Sequence, residues 1–322
     1  MAASQWWDSD EENGGAQMKT AKTFLRFVWK NKLVALSFLV LGSIMLGAVF
    51  LDALAPYDPY LIEMSMRNQP PGVPAIDGQG THLLGTDPLG RDVLSRIMLG
   101  SQVSMSVGIT SVLISGALGT TLGLIAGYYR GWVDTLVMRL VDIQMSVPSL
   151  LIALLVLYIL GPSFFNVVLV LAITRWMVYA RVARGLILSL RETLFVEAAR
   201  SLGASDRRII VKHLLPNISA PILVLGTLEF AVMLLTEASL SFLGLGIQAP
   251  ESSWGLMLAE GRTYLTTAWW LVAMPGLAIL LSTLSVNIIA IWLRQKTMDQ
   301  RGRRSTKKNA TEEQALPGGE SR

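Results

Sequence analysis

The chain has no cysteine among its 322 residues, only two histidines, and charged side chains at just 16% of positions. Without cysteine there is no disulfide, no thiolate metal site and no cysteine nucleophile. His82 and His213 lie far apart in sequence, which argues against a histidine-based zinc site. No Gly-Lys-Ser/Thr follows a glycine-rich turn, so the phosphate-cradling loop of ATPases is missing and this chain does not hold ATP on its own. No serine has a histidine placed for a triad, and no helical pair of carboxylates resembles a metal site. Catalysis, a bound cofactor and a resident metal are therefore not expected. The net charge of +4 could suggest nucleic acid, but the charges crowd into the N-terminus, one central stretch and the C-terminal tail.

Between those charged clusters stand long uncharged runs, the mark of a chain whose solvent is a bilayer. A crossing helix needs about 20 mostly apolar residues. The runs predict six: Leu33 to Leu51, Gln102 to Tyr129, Leu136 to Leu160, Phe164 to Val182, from Pro216 to Phe242, and Thr267 to Leu293. The first could be mistaken for a signal peptide because Ala53-Leu54-Ala55 resembles a cleavage box. Its apolar stretch is too long for that, however, and Pro56 is a poor residue after a cut, so it reads as an uncleaved span. Pro148 is expected to kink the third span, and Gly161-Pro162 to end it in a tight turn.

Lysine and arginine counts set the orientation. Lys19, Lys22, Arg26, Lys30 and Lys32 precede the first span, and Arg130 and Arg139 lie after the second. Seven basic residues fall between Arg181 and Lys212, and Arg294 and Lys296 follow the last span. The opposite side has only Arg67, Arg91, Arg96 and Arg262. Six spans with both termini cytoplasmic satisfy this alternation. The domain reading is a cytoplasmic segment 1–32, a six-span all-α domain 33–293 with a cytoplasmic loop at about 183–217, and a tail 294–322 too polar to fold alone. Trp6 and Trp7 are expected to touch the membrane surface. There is no internal repeat.

The loop between the fourth and fifth runs carries the densest pattern. Glu197 to Leu202 are good helix formers, Gly203 suits the left-handed residue that ends a helix, and Ser205 suits the cap of a second short helix. Pro216 is expected to stop that second helix. Leu202, Ile209 and Val211 are left available to a partner. Glu197-Ala198-Ala199, then Gly203, then Leu215-Pro216 at these offsets resembles the Glu-Ala-Ala loop of bacterial ATP-binding-cassette (ABC) importer permeases. Leu84 to Arg96 and Ser239 to Gly246 are similar to signatures of the second permease of peptide and nickel importers. The resemblance runs from about Leu33 to Leu293. It departs where Ala290-Ile291-Trp292 precede Leu293-Arg294 in place of a Gly-Asp.

What the resemblance implies is a permease forming half of a pore with a second, homologous permease in a bacterial inner membrane. Two ATPase subunits, which use the ATP and magnesium, would dock on Glu197, Ala198, Ala199, Gly203, His213, Leu215 and Pro216. A binding protein outside would deliver short peptides, a nickel complex or glutathione. Glu197 would meet a basic group of the ATPase. Intramembrane carboxylates are costly and usually face a cavity or protein. Glu229 and Glu237, eight residues apart and read as sharing a face, are therefore candidates for gating or the pathway, with Ser239 and Ser241 beside them. A proton-coupled transporter using Glu229 and Glu237 is the alternative, and a non-transporting scaffold a further one. Asp87, Arg91, Asp92 and Arg96 are expected on an interfacial helix, and Arg175 to snorkel. Gly119 and Gly123 suit close helix packing.

Overall fold

The fold is seen in a computed structural model that covers residues 31–76, 78 and 80–315, with side chains described through residue 296. The expectations for Trp6, Trp7 and the basic residues before Asn31 lie outside the described residues. Helix α1 spans Lys32–Val49, α2 Val93–Tyr129, α3 Gly131–Met145, α4 Ser149–Leu160 and α5 Phe164–Leu190. Helix α6 spans Leu194–Ser201, α7 Asp206–Phe242, α8 Trp254–Gly261 and α9 Trp270–Ala315. Strands β1 (Val73–Pro74) and β2 (Thr81–His82) pair antiparallel in the segment between α1 and α2, Val73 opposite His82.

Five helices are long and apolar enough to cross a membrane, and α3 with α4 make a further apolar pair bent by 85°. The side-chain register shows how often the chain crosses. A Cβ added at Gly119, Gly123 or Gly127 of α2 would press on the carbonyls of Trp176, Ala180 and Arg184 of α5 in turn. Ascending numbers on both helices mean that α2 and α5 run parallel, so the chain must return between them. The α3–α4 pair makes that return, a single span broken at Pro148 more sharply than a kink. Helix α7 is antiparallel to α2: Ser104 meets Glu237, and Gly108 lies against Phe230. Phe38 of α1 packs edge-on against Trp292 of α9 at 6.2 Å, while Trp270 at the other end of α9 donates to the Thr86 carbonyl. The start of α1 and the later part of α9 therefore share one end with the loop between α5 and α7, as six crossings require.

The glycines of α2 act through the absence of a side chain. They bring two backbones together where apolar lipid offers helices no hydrophobic reason to associate. Val107, Leu157, Val167, Val168, Leu171 and Leu240 form a core joining α2, α4, α5 and α7. A second core joins Leu124 and Tyr128 of α2 to Ala183 and Ile187 of α5 and to Val196, Ile209, Leu214 and Ile218 of the loop and α7.

Three expectations change. Helix α2 begins nine residues earlier than the uncharged run, so Arg96 lies within it and Asp87, Arg91 and Asp92 lie just before it rather than on a separate interfacial helix. Asp87 sits in a turn, and Asp92 caps α2 by accepting from the Ser95 amide at 2.8 Å. The charges satisfy one another around the start of α2: Arg96 reaches Asp87 at 2.6 Å and Glu260 at 2.7 Å, and Arg91 reaches Asp87 at 2.6 Å. Pro216 does not stop a helix. Residues Ile210–Leu214 take the wider π form, which moves aside the carbonyl that a proline ring would strike. The Asn217 side chain then donates through Nδ2 to the His213 carbonyl at 2.6 Å. Finally, α9 continues to Ala315 through residues read as a structureless tail. Residues 294–315 are rich in Lys, Arg, Glu, Gln and Ala, all good helix formers, and Pro317 follows.

Candidate functional site

The loop between α5 and α7 is firmly seated on one face. Val196, Ile209 and Leu214 are buried against Leu124, Ala183 and Ile187. Tyr128 donates its hydroxyl to Asp206 at 2.5 Å, its carbonyl accepts from Arg191 at 2.6 Å, and Arg200 approaches the same hydroxyl at 3.5 Å. A pair between Arg184 and Asp134 ties α5 to α3 nearby, and Arg130 meets Glu192. Sequence reasoning did not single out Tyr128 or Asp206. They are 78 residues apart in the chain, and it is the seating of the start of α7 on the end of α2 that brings them together.

The turn after α6 has a defined hydrogen-bond signature. Gly203 sits at φ +79°, its N–H donates to the Arg200 carbonyl at 2.9 Å, and the Ala204 N–H donates to the Ala199 carbonyl at 3.0 Å. These are the two bonds of a Schellman motif, which needs a residue in the left-handed region at this position. Gly203 therefore does what its place in the sequence suggests. Glu197, Ala198 and Leu215 are exposed and Ala199 is half-buried. Glu197 makes no ion pair among the described residues. His213 is half-buried, its ring 6.5 Å from that of Phe195. Leu194 is 84% exposed and Leu202 88%, and Val211 is exposed beside them. Ile209, expected to be open to a partner, is buried instead, because it fills the core beneath the loop. The result is a buried base carrying an outer face on which apolar side chains lie exposed together with Glu197 and with Arg200, Arg207, Arg208 and Lys212.

The two carboxylates of α7 do not share a face. Eight residues are about 2.2 helical turns, which leaves them roughly 80° apart. Glu237 is fully buried, accepting from Ser104 of α2 at 3.0 Å and from Ser241 at 2.8 Å. The Ser241 hydroxyl accepts from the Ile247 N–H at 3.1 Å, and the Trp254 N–H lies 3.4 Å from the Ser104 oxygen. Glu237 is thus the centre of a polar knot that ties α2 and α7 to the start of α8. Ser239 is not part of it; its hydroxyl donates to the Leu235 carbonyl, and it faces a groove of about 410 Å³ between α7, α8 and α9. Glu229 turns the other way and receives both Nε (2.7 Å) and Nη2 (2.9 Å) of Arg175 from α5. Arg175 therefore does not snorkel: it lies in the middle of α5, and the carboxylate opposite holds it at that depth.

Crossing helices packed backbone to backbone, with an anchored loop exposed at one end, make up a multi-spanning membrane protein. The chain belongs to the family described as "Binding-protein-dependent transport system inner membrane component", which matches residues 119–299, more than half of its length. Residues 21–71 match the N-terminal transmembrane domain of oligopeptide transport permease C. The chain is 43% identical to a putative peptide transport system permease protein of Brucella suis, over 79% of this chain and 85% of that protein. It is 42% identical to a di/tripeptide transport system permease protein of Pseudomonas aeruginosa, over 82% and 86%. A glutathione transport system permease protein of Pectobacterium atrosepticum is 39% identical, over 84% and 87%. The expected ABC-importer permease architecture holds, and the proton-coupled alternative gives way to a family whose transport depends on a binding protein.

Proposed function

We propose that the chain forms half of the pore of an ABC importer for short peptides, with glutathione as the nearest alternative cargo. A second, homologous permease completes the pore, and a binding protein delivers the cargo on the side of β1 and β2. Two ATPase subunits bind ATP and magnesium and carry out the hydrolysis, so the permease itself is not an enzyme. The loop between α5 and α7, with both ends of the described chain, faces the cytoplasm of a bacterial inner membrane. The observation that supports this reading is the outer surface of the loop: Leu194 and Leu202 flank Glu197 and Ala198 in the chain and lie exposed, as does Val211 near the start of α7, on a base that is hydrogen-bonded and buried beneath. An apolar face so firmly seated suits a partner that must transmit force. Glu197, Ala198 and Ala199 with Gly203 form its centre, and His213, Leu215 and Pro216 its edge.

The test is peptide-stimulated ATP hydrolysis in proteoliposomes holding the chain with its second permease, ATPases and binding protein. Stimulation that Glu197→Arg abolishes, with the complex still assembled, is the expected result. An ATPase that responds to peptide equally with Glu197→Arg and with Leu202→Asp would sink the docking assignment.

A further inference from the structure

The ion pair between Arg175 and Glu229 stands outside the docking loop and outside the Glu237 knot, and neither has a use for it. It sits at mid-membrane depth: Glu229 has 14 residues of the α7 segment Leu215–Phe242 before it and 13 after. A charge placed so deep is expensive, and such residues face a water-filled path or another protein rather than acyl chains. The pair is also lopsided. Glu229 is nearly closed off, its side chain 7% exposed, while Arg175 is 20% exposed. Nε and Nη2 of Arg175 hold the carboxylate, which leaves Nη1 with no hydrogen bond among the described residues. The pair therefore offers a cation on its open side and keeps its anion behind.

A second observation points to the same place. One helical turn along α5, the Tyr179 hydroxyl is buried and makes no well-aligned hydrogen bond among the described residues, with the Ser115 hydroxyl within its reach. A Cβ built on Gly226, three residues before Glu229, would lie 3.7 Å from that hydroxyl and 3.7 Å from Val112 Cγ1. A buried donor without a partner is costly and rare in proteins. Here it lies one helical turn from a guanidinium with a spare edge, a second donor on the same helix.

We propose that Arg175 binds the carboxylate of the transported solute during its passage, with Glu229 holding the guanidinium in place and Tyr179 supplying a further donor. The inference rests on the peptide reading above, in which the carboxylate is the C-terminus of the cargo. Planar, bidentate geometry makes arginine suited to carboxylate, and its second edge serves without breaking the first pair.

The experiment compares uptake of one dipeptide with that of its C-terminal amide by the complete importer in proteoliposomes. The binding protein has its own preference between the two, but that preference is common to every permease variant and cancels in the comparison. Arg175→Gln alone strands a buried carboxylate, so the decisive variant is the doubly neutral Arg175→Gln/Glu229→Gln. The carboxylate-to-amide ratio of kcat/KM is expected to fall about tenfold or more from its wild-type value, the size of a lost hydrogen bond to a charged group. Arg175→Lys, which keeps the charge without the fork, should fall between. A double variant that transports both solutes in the wild-type ratio overturns the proposal, as does one in which the two permeases no longer associate, since the pair would then be an assembly contact. If the wild-type importer carries neither solute but does carry another cargo, the peptide reading fails, and this inference with it.

Discussion

Replacing Gly203 tests the proposed docking role of the loop with a change whose energy follows from the backbone alone. The residue sits at φ +79°, and a Cβ built there meets no atom within 4 Å. Gly203→Ala therefore introduces no clash, only the roughly 1–2 kcal/mol that an L-residue incurs in the left-handed region. In the undocked loop the turn at 202–205 is exposed and relaxes out of the Schellman geometry to shed that strain. Docking on the ATPase must restore the turn, so the strain appears in the binding equilibrium. One to two kcal/mol is about a 5- to 30-fold weakening. Asparagine visits the left-handed region with a smaller penalty than alanine, so Gly203→Asn should recover most of the loss. The order glycine, asparagine, alanine is the signature, because side-chain size alone would rank asparagine worst. The assay is equilibrium binding of the ATPase to the detergent-solubilised permease pair, followed by peptide-stimulated hydrolysis. Gly203→Ala binding within twofold of wild type would refute the reasoning, and so would asparagine binding more weakly than alanine.

Further outcomes follow from the packing. Gly123→Ala presses a methyl onto the Ala180 carbonyl and should lower the unfolding midpoint of the solubilised chain, at the ~1–3 kcal/mol typical of overpacking. Gly185→Ala, in open space on the neighbouring helix, should leave the midpoint unchanged or raise it by up to about 1 kcal/mol from helix propensity; equal losses at both sites would contradict the parallel register. Tyr128→Phe removes the bond to Asp206, about 0.5–1.5 kcal/mol, and should speed amide exchange in residues 194–214 while leaving α4 unaffected. Glu237→Ala strands the hydroxyls of Ser104 and Ser241 and should cost about 1–3 kcal/mol in chemical denaturation. Glu237→Gln keeps an acceptor oxygen and should cost less; a loss as large as that of alanine would mean that the carboxylate's charge, not its acceptor role, holds the knot.

The sequence carries most of the architecture because bilayer physics is written locally. An uncharged run of crossing length is visible without knowing its neighbours, and Gly203 announces a turn that depends only on adjacent residues. What the sequence hides depends on register between distant helices. Arg175 and Glu229 are 54 residues apart, and nothing in either segment says that they meet. Read alone, Arg175 looks like a side chain in need of an escape to the surface. Ile209 likewise looks available in a polar loop until the packing of α2 on α5 supplies the floor beneath it. The start of α2 was misplaced for the same reason: Asp92 and Arg96 look too charged for a membrane helix until Asp87, Ser252 and Glu260 gather around them. Pro216 misled in another way. The rule that proline ends a helix holds for α geometry, and the chain avoids it by widening one turn.

That wide turn bears on how movement of an ATPase would reach the pathway. Helix α7 is continuous from Asp206 in the loop to Phe242, and about 46 Å separate Asp206 from Glu237 at a rise of 1.5 Å per residue. At one end Asp206 is bonded to Tyr128 of α2; at the other Glu237 is bonded to Ser104 of the same helix. Helix α5 is fixed to α2 along the intervening glycines. A push on the loop therefore meets a block of three helices tied at both ends, and the block should tilt as a unit rather than let α7 swing alone. The compliant point is the π turn at Ile210–Leu214, whose ring of hydrogen bonds is wider than in the rest of the rod. Spin labels on the exposed ends of α2 and α7 should keep their separation when ATP analogues close the ATPases, while each changes its distance to α9. Labels that separate from each other instead would show that the Tyr128–Asp206 tie breaks in every cycle, and would make that bond, not the helix block, the moving part.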